Sequence, residues 1–117
     1  MVMENAMNTE SMLIEKYRQK GIMSGQELLL SHDDALCFID DCERANLIIL
    51  GLDFYVLEND KVIQVGSADY SSLVGQPNNL QESVIEARKL IRNELPDGAS
   101  WVSFVLEESE ADNLFKE

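Results

Sequence analysis

In the middle of the chain, apolar and polar positions alternate at every second residue. Ile48, Leu50, Leu52, Phe54 and Val56 fall on one face of the strand that this alternation predicts. Asn59-Asp60 follows, two residues that tolerate positive φ and suit a two-residue hairpin turn. That turn pairs Glu58 with Lys61, Val56 with Ile63 and Phe54 with Val65. Large apolar side chains then meet across the strands, and opposite charges flank the turn. The second face carries Ile49, Gly51, Asp53, Tyr55, Leu57, Val62 and Gln64. Its composition is mixed and suits neither a core nor open water.

Helical periodicity brackets this hairpin. Residues 9–20 predict a helix with Met12, Leu13, Tyr17 and Met23 as its stripe and Gly21 as its C-terminal cap. The segment "GQELLLS" reads either as a short strand over 27–30 or as a loop with buried leucines. Ser31, with Asp34 three residues on, opens a second helix in the manner of a capping box. Asp33 and Asp34 also favour its start through the helix dipole. Ala35, Leu36, Ile39 and Cys42 form its apolar stripe, with Phe38 at the margin. Residues 66–79 read as a loop, and Asn79 with Glu82 opens a third helix running to about Leu95. Its stripe is Leu80, Val84, Ala87, Ile91 and Leu95, and Pro96-Asp97-Gly98 ends it. "SWVSFVLEE" is a last strand, with Val102, Phe104 and Leu106 toward the core and Trp101, Ser103 and Val105 on the mixed face.

The order helix, helix, hairpin, helix, strand predicts an α+β fold. A right-handed crossover lays the last strand beside the first hairpin strand. The expectation is a small, mainly antiparallel sheet of three to four strands with two to three helices on one face. With no internal repeat or linker, residues 1–117 read as one domain, with 1–8 as an unpatterned, frayed start.

Composition adds one unusual property. Twenty-two Asp and Glu stand against nine Lys and Arg, a formal net charge of −13. Such a surface repels phosphate backbones and anionic membranes, which argues against nucleic-acid and membrane partners. It steers a basic protein inward, although acidic charge also serves plain solubility. No apolar run reaches the roughly 18–20 residues of a membrane span. The first residues carry no basic region ahead of an apolar block, so a cytoplasmic location is the expectation. Cys37 and Cys42 lie five helical positions apart, about 140° of rotation, and read as reduced, small core side chains.

Candidate chemistry is sparse. His32 is the only histidine and reads as an exposed residue at a helix start. The acidic pairs lack the spacing and glycine of a calcium loop, and the scattered glycines form no phosphate loop. Neither a cofactor, nor a metal site, nor an enzymatic activity is expected. The mixed sheet face is the better candidate. Tyr55 and Trp101 combine large contact area with a polar handle, which suits an interface anchor. Gly51 leaves room beside them. Asp53, Tyr55, Tyr70 and Trp101 form the expected centre of a partner-binding patch, with Glu58, Asp60 and Asp69 as its acidic rim. A plainer reading has the N-terminal helix or the tail covering this face, with Tyr55 and Trp101 as second-layer core.

The stretch "DDALCFIDDCERANLIILGLDFYVLENDKV" carries a family resemblance. An Ala-Leu-x-Phe-Ile helix leads through a short link to Ile-Leu-Gly-hydrophobic-Asp-x-Tyr and an acidic hairpin. This resembles the bacterial immunity protein 40 family over roughly residues 26–106, at Ala35, Leu36, Ile49, Leu50, Gly51, Asp53 and Tyr55. The resemblance implies a non-enzymatic protein that binds and neutralises a polymorphic toxin. The competing expectation is a self-associating module whose mixed face pairs with a second copy as a homodimer.

Overall fold

The structure, a computed structural model, describes residues 9–73, 75–93 and 99–108. It is α+β. Helix α1 (Thr9–Tyr17) leads into a short hairpin, β1 (Ile22–Ser24) and β2 (Glu27–Leu29). Helix α2 (His32–Arg44) precedes the long hairpin β3 (Leu47–Glu58) and β4 (Lys61–Asp69). A single 3-10 turn (Ser71–Leu73), helix α3 (Asn79–Asn93) and strand β5 (Trp101–Glu108) follow. The main sheet has the order β4-β3-β5 with both pairings antiparallel, so β5 runs parallel to β4 across β3, as expected. "ELLL" contributes to both sheets. Glu27–Leu29 pairs with β1, while Leu30 forms an isolated bridge to Val102 through two backbone hydrogen bonds of 2.8 and 2.9 Å. The frayed start expected for residues 1–8, and Leu95 with its terminating Pro-Asp-Gly, lie outside the described residues.

Local sequence explains most of the element ends. Ser31 caps α2 by accepting a hydrogen bond from the Asp34 backbone N–H at 3.4 Å. Asn59 and Asp60 have φ of 51° and 64°, the two positive values of a type I′ hairpin turn. The pairs Glu58–Lys61 and Val56–Ile63 form as the turn requires. Gly21 plays a different part from the cap expected of it. A Cβ there would stand 2.2 Å from the Leu29 carbonyl oxygen, so glycine lets the chain pass against β2.

Two register shifts change which residues face the helices. On β4 the shift at Val65 pairs Phe54 with Gly66 instead of Val65. On β3 the shift at Leu50 inverts the alternation, because one extra residue moves every later side chain to the opposite face. Leu47 and Ile49 therefore share the core with Leu52 and Phe54, and Ile48 turns away. Of the expected core series, Leu52 and Phe54 join the cluster; Ile48 is buried outside it, and Leu50 and Val56 are only half-buried.

The core lies between this face and the helices. Ala35, Phe38, Ile39 and Cys42 of α2, and Val84, Ala87 and Ile91 of α3, are buried against it. Phe38 is central: its ring meets Tyr17 edge-on at 5.2 Å and Phe104 at 4.7 Å. Leu36 is only half-buried, Cys37 is exposed, and Met12 and Met23 point outward. Helix α1 packs on α2 and along the edge of β5 through Leu13 and Tyr17.

Asp41 ties α1 to α2. Its carboxylate accepts hydrogen bonds from the Tyr17 hydroxyl (2.6 Å), from Lys16 Nζ (2.9 Å) and from Arg44. Burial alone would raise its pKa, but the bonds from Tyr17, Lys16 and Arg44 outweigh it and lower the value from 3.8 to about 2. A depressed carboxylate stabilises the fold above its ordinary pKa and loses that contribution as pH falls through the folded value. Lys16 and Arg44 are mostly exposed, so solvent screening limits the contribution to about 1–2 kcal/mol. The stability gap between wild type and Asp41→Asn should be constant above about pH 4 and close toward pH 2. Urea unfolding across that range measures it, and a gap independent of pH would contradict the network.

Candidate functional site

The second face of the main sheet is built row by row from the pairing. Tyr55 lies between Gln64 and Trp101, Asp53 between Ser67 and Ser103, and Gly51 between Asp69 and Val105. Beyond them, nearer the hairpin tip, stands Leu57 opposite Val62. Gln64, Ser67 and Asp69 are exposed, and Leu57 and Val105 are 47% and 49% exposed. Trp101 is half-buried. The buried side chains of all three helices sit in the core on the opposite face, and the tail, the other cover expected for this face, lies outside the described residues.

Tyr55 is nevertheless only 8% exposed, and its cover comes from the short hairpin. Glu27 reaches over β5, where its Oε1 accepts hydrogen bonds from the Tyr55 hydroxyl at 2.6 Å and from Ser103 Oγ at 3.3 Å. The Leu30–Val102 bridge places Glu27 for this reach. Burial, and then the bond to Glu27, push the Tyr55 phenol up to about 12, which keeps it a neutral donor.

Asp53 stands beside this pair. Its Oδ1 accepts a hydrogen bond from Gln64 Nε2 at 3.1 Å. Burial and the neighbouring Glu27 charge raise its pKa, and the Gln64 bond only partly opposes them. A carboxyl whose folded pKa is raised costs stability while it is ionised, and the cost disappears as pH falls and it protonates in both states. Asp53→Asn keeps an oxygen for Gln64 and removes the charge. It should raise Tm at neutral pH, with the gain vanishing below about pH 4; a scanning unfolding series checks this. An ionised carboxylate kept at a cost to stability marks a candidate functional position.

The seven expected patch residues divide into three groups. Asp53, Tyr55, Asp69 and Trp101 come together on this face. Glu58 and Asp60 are exposed at the hairpin tip, displaced along the strands from the aromatic pair. Tyr70 belongs elsewhere. Its N–H donates to the Leu50 carbonyl at 2.7 Å and its ring packs at the margin of the core, because the extra residue at Val65 puts Asp69 on the mixed face and so the next side chain on the core face. Glu27, Gln64 and Ser103 complete the site and were not anticipated. The alternation in the sequence places Gln64 and Ser103 on the mixed face, whereas only the fold brings Glu27 there.

Charge is segregated between the layers. The five ion pairs seen among the described residues involve Lys16, Arg18, Arg44 and Arg88, all in or beside helices. Arg88 joins α3 to α2 through Asp40 and Glu43. The strands hold one cation, Lys61 at the hairpin turn, against Glu27, Asp53, Glu58, Asp69, Glu107 and Glu108. Among the described residues, no cluster of His, Cys, Asp and Glu has metal-binding geometry, and no helix is long and apolar enough to cross a membrane. In comparisons with known proteins, no family model, curated protein or solved structure matches the chain.

Proposed function

We propose that the chain is a non-enzymatic protein-binding domain whose open sheet face receives a basic protein partner. The observation that carries this reading is the segregation of charge. In the helices Glu15, Asp40, Asp41 and Glu43 are ion-paired with lysine or arginine, whereas the open face presents Glu27, Asp53 and Asp69 beside Trp101, Leu57 and Val105 with no ion pair to a base on its strands among the described residues. An aromatic centre with a charged surround combines a desolvated anchor with electrostatic steering. The resemblance to the immunity protein 40 family points the same way and makes the partner a toxin that this domain neutralises.

The test begins with the immobilised protein and an extract of the cells that make it. The recovered partner is purified and its association rate measured as a function of salt. Exposed charges are screened beyond about 8–10 Å at ordinary ionic strength, so the rate should fall steeply between low and moderate salt. A flat rate would contradict the reading. So would light scattering that finds a stable homodimer with Trp101 shielded, since the face would then be used by a second copy.

A further inference from the structure

We propose that the short hairpin β1–β2 is a flap, hinged at Leu30, that zips onto β5 and joins the two sheets into one of five strands. The register of the closed state is already set. Leu30 and Val102 exchange two backbone hydrogen bonds, of 2.8 and 2.9 Å, in an antiparallel bridge. Continued by two residues, that register puts Leu28 opposite Phe104. The pairing stops instead after the one bridge, and β2 stays with β1 in a separate sheet.

The missing pair leaves a gap beside β5. Val102 turns both its N–H and its C=O toward Leu30, away from β3. Between Val102 and Phe104 the pairing of β5 with β3 is unbroken, so Phe104 presents its own N–H and C=O on the same outer side. Among the described residues, no backbone hydrogen bond joins them to Leu28. A cavity of about 120 Å³ lies there, with Glu27 and Leu28 on one side, Ser103 and Phe104 on the other, and Leu30 and Phe38 also bordering it. Backbone groups left unpaired at a half-buried residue are costly, and Leu28 in register would satisfy both. On the open face Glu27 already spans the gap, through its bonds from Ser103 and Tyr55. The flap therefore carries one of the acids of that face. A partner that binds Glu27 more tightly in one position than in the other shifts the flap toward it. The flap itself does not depend on a partner.

The test uses the full chain carrying Cys37→Ser, which removes the exposed thiol. Its Phe104 amide should exchange hydrogen about tenfold faster than its Val102 amide, the ratio that the net contribution of one backbone hydrogen bond sets. The zipped register places Glu27 opposite Val105 as a non-hydrogen-bonded pair with Cα atoms about 4.5 Å apart, within the span of a disulfide. Both residues are exposed, so replacing them spares the core. Glu27→Cys with Val105→Cys should oxidise to a disulfide in the folded chain and slow Phe104 exchange to the Val102 rate. A Phe104 amide as protected as Val102 before oxidation would overturn the flap, since the strands would already be paired. Failure of the folded chain to cross-link would overturn it too, as would a cross-link that leaves Phe104 exchanging fast.

Discussion

Replacing Phe38 with alanine is expected to lower the unfolding free energy by about 3–5 kcal/mol, a large part of the roughly 5–15 kcal/mol available to a domain of this size. Phe38 is 1% exposed, and it joins three elements at once. Its ring lies between Tyr17 of α1 and Phe104 of β5, so its loss leaves a cavity where the first helix meets the sheet edge. The effect should exceed that of Leu36→Ala, although leucine and phenylalanine are both large, because Leu36 is only partly buried. Urea titrations of the two variants compare them directly. An equal loss would contradict the packing described.

The second large effect concerns binding. Trp101→Ala is expected to weaken capture of the partner by about 2 kcal/mol or more, roughly thirtyfold, as for truncation of an aromatic anchor at the centre of an interface. Trp101 serves this purpose better than Tyr55. It is half-buried and stands on the open face, so its removal costs contact area offered to a partner. Tyr55 is buried and holds Glu27 through its hydroxyl, so Tyr55→Ala would disturb the face itself. Tyr55→Phe is the cleaner companion, since it keeps the ring and removes only the hydroxyl's bond to Glu27, which Ser103 still contacts. Isothermal titration of the purified pair measures the loss, and Trp101→Ala binding as tightly as wild type would remove the residue from the interface.

How far the sequence reveals this architecture depends on how unambiguous each local signal is. The Asn59-Asp60 turn, the Ser31 cap and the three-strand order are legible because each rests on a backbone requirement that few residues satisfy. The bulges are not. Leu47, Ile48, Ile49 and Leu50 are all large and apolar, so nothing in their chemistry marks which one is the extra residue. The other bulge, at Val65, misplaces Tyr70, because one extra residue on β4 moves every later side chain to the opposite face. Phe38 could have been placed: Ala35, Phe38, Ile39 and Cys42 follow the i, i+3, i+4, i+7 spacing of a buried helix face. Glu27 could not. Its contact with Tyr55 spans twenty-eight positions and depends on the Leu30–Val102 bridge, a long-range pairing that short apolar runs do not specify.

The open face also explains a feature of the edge strand. β4 ends the sheet, and an exposed, regular edge would invite pairing with another chain. Its bulge at Val65 interrupts the ladder midway, and Lys61 and Asp69 place charges at its two ends. These devices disfavour extension of the sheet through β4.

Trp101 is the only tryptophan in the chain, so its fluorescence reports on the face alone. The direct measurement is quenching of the free protein by acrylamide, caesium and iodide at matched ionic strength, with the mass followed by light scattering. An accessible ring among carboxylates on a monomer should be quenched readily by neutral acrylamide and by caesium, and poorly by the repelled iodide anion. A tryptophan that acrylamide cannot reach, or one that iodide quenches as well as caesium does, would contradict the account.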